Sequence, residues 1–304
     1  MLFELENAFC VCRIDSSIAN AFPNYERASA VPRLRFRLRT LLLFLTAIGV
    51  WGGWYVNRVN EQRTAAETVA RLGGSVAYGP DGFSPAAARN WLERIASLAG
   101  PDLFFRVTGV ELSDNKSLMD EDLDCLKAFP KLRWLRLHGT GIGDAGLRHI
   151  EQLPNLRLLH LRATQVTDKG TQSISCLSRL EHLYLIDTTV GDEGVRNLSG
   201  LVQLQTLCLD KSRVTGECLR WLSDMNELRE LGLSETDVCG QGLKDVHNLE
   251  RLDYLNLANT KLTQAAAAIL GSADNVNVIN VFNTPLDEAG KGTYLPSAFL
   301  RQSP

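Results

Sequence analysis

Leucines recur in this chain on a 24-residue step that never slips. Leu132, Leu156, Leu180, Leu204, Leu228, Leu252 and Val276 form one column. Three residues on stand Leu135, Leu159, Leu183, Leu207, Leu231, Leu255 and Ile279; two further on are Leu137, Leu161, Leu185, Leu209, Leu233, Leu257 and Val281. Apolar residues at alternate positions mark a short half-buried strand, so each unit is predicted to begin with a strand whose leucines face inward. A turn follows, carrying a hydroxyl column of Thr140, Thr164, Thr188, Ser212, Thr236, Thr260 and Thr284. Hydroxyls there can bond backbone groups that the bend leaves unpaired, including those of the adjoining unit. Thr167 with Asp168, and Gly191 with Asp192 and Glu193, then read as N-cap and first-turn acid signals for a short helix. Its inner face is expected at Leu147, Ile150 and Leu153, and again at Val195, Leu198 and Leu201.

The pattern LRWLRLHGTGI from Leu132 resembles the leucine-rich-repeat consensus LxxLxLxx(N/C)xL, with Thr or Ser in place of the usual Asn. An earlier unit from Val107 fits with one inserted residue, which makes eight repeats over residues 107–290. The resemblance implies an α/β solenoid: a parallel β-sheet on the concave side and short helices on the convex side. Solenoid ends need covering. Residues 59–106 are expected to form a helical N-terminal cap, with EQRTAAETVARL a helix, GGSVAYG a turn and edge strand, and PAAARNWLERIASLAG a second helix. In the last repeat Lys291 and Tyr294 replace helix leucines and Pro296 stops the pattern, so residues 291–304 read as a C-terminal cap or tail.

Ahead of the repeats, the run LLLFLTAIGVWGGWYV carries no charge and follows Arg33, Arg35, Arg37 and Arg39, so residues 33–58 are expected to hold a basic flank and one transmembrane helix. The arginine excess upstream places the N-terminus in the cytoplasm and the repeats on the exported, periplasmic side of a single-pass cytoplasmic-membrane protein. With this anchor the chain resembles membrane-anchored bacterial leucine-rich-repeat proteins. Ala47 and Gly49 have the spacing of a signal-peptide cleavage site, the alternative to an uncleaved anchor, and Gly49 with Gly53 make a GxxxG pair. Residues 1–32 are too polar to span and delay the basic, apolar signal; initiation near Val31 would account for them.

Charge narrows the function. The first 56 residues hold six arginines against four acids, leaving 26 basic and 31 acidic residues, a balance of −5, for the rest. Such a body is a poor match for phosphate backbones, so nucleic acid is not an expected partner. Seven cysteines without paired spacing read as free or buried thiols rather than a disulfide framework or a zinc site. The outward strand positions change in character along the array. Trp134, Arg136, His138, His160, Arg162, His182 and Tyr184 make the early repeats aromatic and basic, whereas the later ones offer Cys208, Glu230, Gly232, Tyr254 and Asn256. Aromatic and Arg side chains anchor protein interfaces, which marks those seven as the expected partner-binding face. Adjacent histidines on the diagonal His138, His160 and His182 stand about 8 Å apart at the backbone, awkward for one metal ion. Neither a metal nor a cofactor is expected. Cys208 beside Tyr184 lacks a group to orient a base, which argues against an enzyme. The expectation is a membrane-tethered, non-catalytic module binding a protein or an envelope polymer, with a self-associating envelope component as the alternative.

Overall fold

The computed structural model describes residues 38–79, 106–273, 276–286 and 294–295. The chain divides into two units, Met1–Gly53 and Trp54–Pro304. The second is built on a ten-stranded sheet in sequence order. β1 (Ser75–Tyr78) lies antiparallel to β2 (Val107–Glu111). Parallel pairing then runs through β3 (Trp134–Arg136), β4 (Leu158–His160), β5 (His182–Tyr184), β6 (Thr206–Cys208), β7 (Glu230–Gly232), β8 (Tyr254–Asn256) and β9 (Val278–Asn280). β10 (Tyr294–Leu295) closes the far edge antiparallel to β9. Tyr294 thus lies in an edge strand rather than in the vestige of a helix, while Lys291, Pro296 and the expected helix PAAARNWLERIASLAG fall outside the described residues.

From β3 to β9 every residue pairs with the one 24 positions on, so Leu135, Leu159, Leu183, Leu207, Leu231, Leu255 and Ile279 form one continuous row. Each strand is only three residues long, and this central residue is the one that points into the core. The flanking leucines of the motif, such as Leu132 and Leu137, are as fully buried but enter from the turns on either side. Three residues cannot hold a strand by themselves. The ladder continues past the strand ends: the residue before each hydroxyl position has positive φ, from Gly139 through Ala163, Asp187, Lys211, Glu235 and Asn259 to Asn283. For a non-glycine residue this conformation costs about 1–2 kcal/mol. What holds it is its own N–H, which from Gly139 to Asn259 donates to a carbonyl of the next repeat over 2.8–2.9 Å. The hydroxyls serve within their own turns. Each of the seven donates to the carbonyl three residues earlier, at 2.5–2.7 Å, rather than to the neighbouring repeat.

On the convex side Asp144–Leu147, Asp168–Ile174, Asp192–Asn197 and Gln264–Gly271 form short α-helices, with 3-10 turns at Asp120–Ala128, Gly216–Trp221 and Gly240–Asn248. The acid at the helix start does more than serve its own helix. Asp120 accepts from the backbone N–H of Gly143, Asp144 from Thr167, Asp168 from Gly191 and Gly194, and Asp192 from Thr215, each at 2.7–3.0 Å. The carboxylates therefore staple one repeat to the next. In the following two repeats Gly216 and Gly240 replace the acid, and a Cβ on Gly216 would come within 2.6 Å of the Gly242 backbone. There the contact between repeats is backbone against backbone.

The helix α1 (Leu38–Arg71) includes both the apolar run and the segment EQRTAAETVAR. Within the second unit its Val59, Gln62, Ala65 and Val69 are buried, and the Gln62 side-chain oxygen accepts from the N–H of Val107 at the start of β2. No helix among the described residues is long and apolar enough to cross a membrane, so the transmembrane helix expected from the sequence is not found there. The uncharged run Leu41–Val56 gives about 24 Å of helix against a hydrocarbon core of ~30 Å. Its large side chains, Leu42, Leu43, Phe44, Leu45, Ile48, Val50 and Trp51 among them, are nonetheless exposed.

Leu183 is fully buried at the centre of β5, while its neighbour Tyr184 points outward and is half-buried. Leu183→Ala should cost about 2–5 kcal/mol through the cavity it leaves. Tyr184→Phe should stay within about 0.5 kcal/mol of the parent. Urea denaturation of the three proteins checks this, and equal losses would reverse the assignment of the faces.

Candidate functional site

Cross-strand register brings Arg136, His160 and Tyr184 into one row on the outward face of β3, β4 and β5. Adjacent strands lie about 4.8 Å apart, so side chains in such a row meet ring to ring. The His160 ring stands 4.9 Å from that of Tyr184, tilted by 43°, and takes the edge of His138 at 4.8 Å and 81°. His138 and Arg162 follow β3 and β4 in the succeeding turns. Together Arg136, His138, Leu158, His160, Arg162 and Tyr184 line an open depression of about 470 Å³. Five of the seven residues expected from the sequence thus share one site, with Leu158 as part of its lining.

The other two adjoin the depression without lining it. A Cβ on Gly109 would fall 1.9 Å from the Trp134 indole, so this ring lies over the glycine of β2 and is held there by the absence of a side chain. Arg136 covers Trp134 with its guanidinium carbon 5.3 Å from the ring centroid. His182 bonds through Nδ1 to the hydroxyl of Thr206, 3.1 Å away on the next strand. The three histidines do not converge, and among the described residues no group of His, Cys, Asp or Glu is arranged to hold a metal ion.

Residues 103–241 match the family model of a leucine-rich repeat region. The match spans β2 to β7 and includes the whole depression. Among solved structures, the crystal structure of an internalin C2 from Listeria monocytogenes is similar, at 25% sequence identity and a TM-score of 0.49, covering 57% of this chain and 70% of that one. No curated protein matches the chain.

Within the repeat array the depression has a distinct electrostatic character. Arg136 is paired with Glu111 at 3.1 Å, and Ser113 hydrogen-bonds to the same carboxylate. The Ser113 hydroxyl also shares a 2.8 Å hydrogen bond with His138 Nδ1, which orients that ring. Asp114 is 3.7 Å from His138 Nε2, too far for a direct hydrogen bond. The side chain of Arg162 is exposed and makes no hydrogen bond or ion pair among the described residues. His160 has its Nδ1 buried without a partner. Burial first, then the neighbouring His138 and Arg136, drive its proton affinity down to a pKa of about 4, against the opposing pull of Glu111. It is a neutral ring in a depression that two guanidinium groups also line.

The later repeats differ. Asp210, not singled out by the repeat pattern, accepts from Ser234 N at 2.8 Å and from Asn256 Nδ2 at 3.1 Å, and burial raises its pKa. A Cβ on Gly232 would sit 2.5 Å from its Oδ2, so the glycine makes room for the carboxylate. Its signal in the sequence was an acid directly after the strand leucine, in the same column as His138 and Arg162. Leu158 was legible in the same way, as a leucine in an outward slot. Burial pushes the Cys208 thiol up to about 12, with Asp210 and Glu230 adding to the shift, so the sulfur stays protonated near neutral pH. Cys125 is raised to about 11 for the same first reason.

The depressed His160 pKa has a thermodynamic consequence. An unfolded chain takes up this proton as pH falls below the ordinary 6.5, whereas the folded chain does so only near 4. Folding therefore loses stability from this group as pH drops from 6.5 to 4 and loses none above that window. Between pH 7.5 and 4.5 the Tm of the parent should fall further than that of His160→Gln, as measured by circular dichroism melts.

Proposed function

We propose that the chain is a membrane-tethered leucine-rich-repeat module that binds a protein partner on the outer side of the cytoplasmic membrane, without catalysis, through the concave face of β3–β5. The observation that carries this reading is the clustering of Arg136, His138, His160, Arg162 and Tyr184 around one depression. Interfaces concentrate their binding energy in a few central Arg and aromatic residues, and these supply such anchors. A non-catalytic role is supported by the Cys208 thiol, which is held protonated. Tethering is supported by the exposed apolar surface of Leu42–Trp51 and by the arginines preceding it, which suit one end of a short apolar helix to a lipid headgroup region.

Two experiments test the parts separately. For the interaction, the full chain in detergent is immobilised and retained proteins are identified; Arg136→Ala should weaken retention of a specific partner about tenfold or more. Lys169→Ala, exposed on the convex side, should leave it unchanged. Retention of the chain's own copies alone would point to a self-associating component. For the tether, protease added to spheroplasts should digest the repeats, and the double change Leu43→Glu and Ile48→Glu should release the chain from the membrane fraction. Protection of the repeats in intact spheroplasts would reverse the proposed orientation.

A further inference from the structure

We infer that the depression between β3 and β5 receives the carboxylate of a short acidic segment in a protein partner. This rests on the reading of the concave face as the binding face, and it adds the chemistry of what is bound. Residues 57–304 carry 26 basic and 31 acidic residues, yet this depression holds two guanidinium groups and no carboxylate in its lining. The nearby Glu111 is already shared by Arg136 and Ser113. The Arg162 side chain makes no ion pair or hydrogen bond among the described residues and is exposed where it lines the depression. A planar guanidinium in that state matches a carboxylate with two parallel hydrogen bonds. Leu158 supplies an apolar wall, which lowers the local dielectric and strengthens any ion pair formed against it.

Asp114 lies 3.7 Å from His138 Nε2, but the two guanidinium groups line the depression itself and no carboxylate does. His160, kept neutral first by burial, adds no charge of its own. Tyr184 completes the set with a hydroxyl that can donate to an oxygen anion. The length of the acidic segment is limited by what lies beyond. Glu230 is exposed on β7, three strand spacings from His160 on β4, or about 14 Å. A residue in extended chain covers about 3.4 Å, so an acidic run longer than about four residues crossing the strands would meet a like charge. A long polyanion is disfavoured by the same group and by the net charge of the body.

The test uses the full chain in detergent and a fluorescein-labelled peptide with four glutamates between Gly-Ser flanks, read by fluorescence anisotropy. The matched peptide with four glutamines should bind about tenfold more weakly or worse, and Arg162→Gln should weaken the glutamate peptide by a similar factor. Arg162→Lys, which keeps charge but loses the planar fork, should fall between. The exposed, unbonded state of Arg162 leaves the fold intact in these variants, checked by circular dichroism. Equal binding of both peptides, indifference to Arg162→Gln, or tighter binding of a single-stranded oligonucleotide than of the glutamate peptide would each overturn the inference. Failure here is separable from failure of the broader reading. If Arg136→Ala still lowers partner retention while Arg162→Gln and the peptides show nothing, only the acidic specificity falls. If neither variant changes retention, the concave face itself is misassigned.

Discussion

Everything in this molecule depends on backbone hydrogen bonds that leave one repeat and end in the next. A three-residue strand has too few bonds to persist, and the turn after it demands a left-handed residue in every repeat, mostly without glycine. Both are sustained because N–H groups such as those of Ala163, Asp187 and Lys211 find carbonyls in the following unit, and because the threonine column closes each turn on itself. The core leucines supply the driving force for burial, but the ladder fixes the register on which every outward side chain relies. A slip of one residue would turn the central leucines outward and scatter the site.

The array is not uniform along its length. The carboxylates of Asp120, Asp144, Asp168 and Asp192 tie successive repeats together on the convex side beneath the strands that carry the depression. Beyond them the same role passes to the close approach of Gly216 and Gly242. A charge-assisted hydrogen bond to backbone N–H is stronger than a neutral one, so the stapled half is the half better suited to hold side chains in fixed positions. A preorganised site loses less conformational entropy on binding, which gives the placement of the depression a physical logic.

Electrostatics separates the two ends of the concave face. Around β4 a neutral imidazole shares a depression with two guanidinium groups; around β6 and β7 a half-buried carboxylate is satisfied by Ser234 and Asn256, and the Cys208 thiol stays protonated. In both places the ladder brings like-positioned residues of adjacent repeats within contact distance, so the chemistry of the face is set by rows across strands rather than by neighbours in sequence.

The periodicity determined the repeat unit and the identity of the core, because burial against a stacked neighbour demands an apolar residue at the same slot each time, and the parallel stacking was what the resemblance to leucine-rich repeats implied. The hydroxyl column and the short convex helices were legible for the same reason. Outward slots carry no such demand, and only the tertiary structure decided which of them act together. It gathered Arg136, His138, His160, Arg162 and Tyr184 with Leu158, laid Trp134 over Gly109, and turned His182 toward Thr206. It also gave Asp168 a partner 23 residues away, where the local pattern suggested only a cap for its own helix. Those outcomes depend on the distance between strands and on the direction of each side chain, quantities that a linear pattern does not contain.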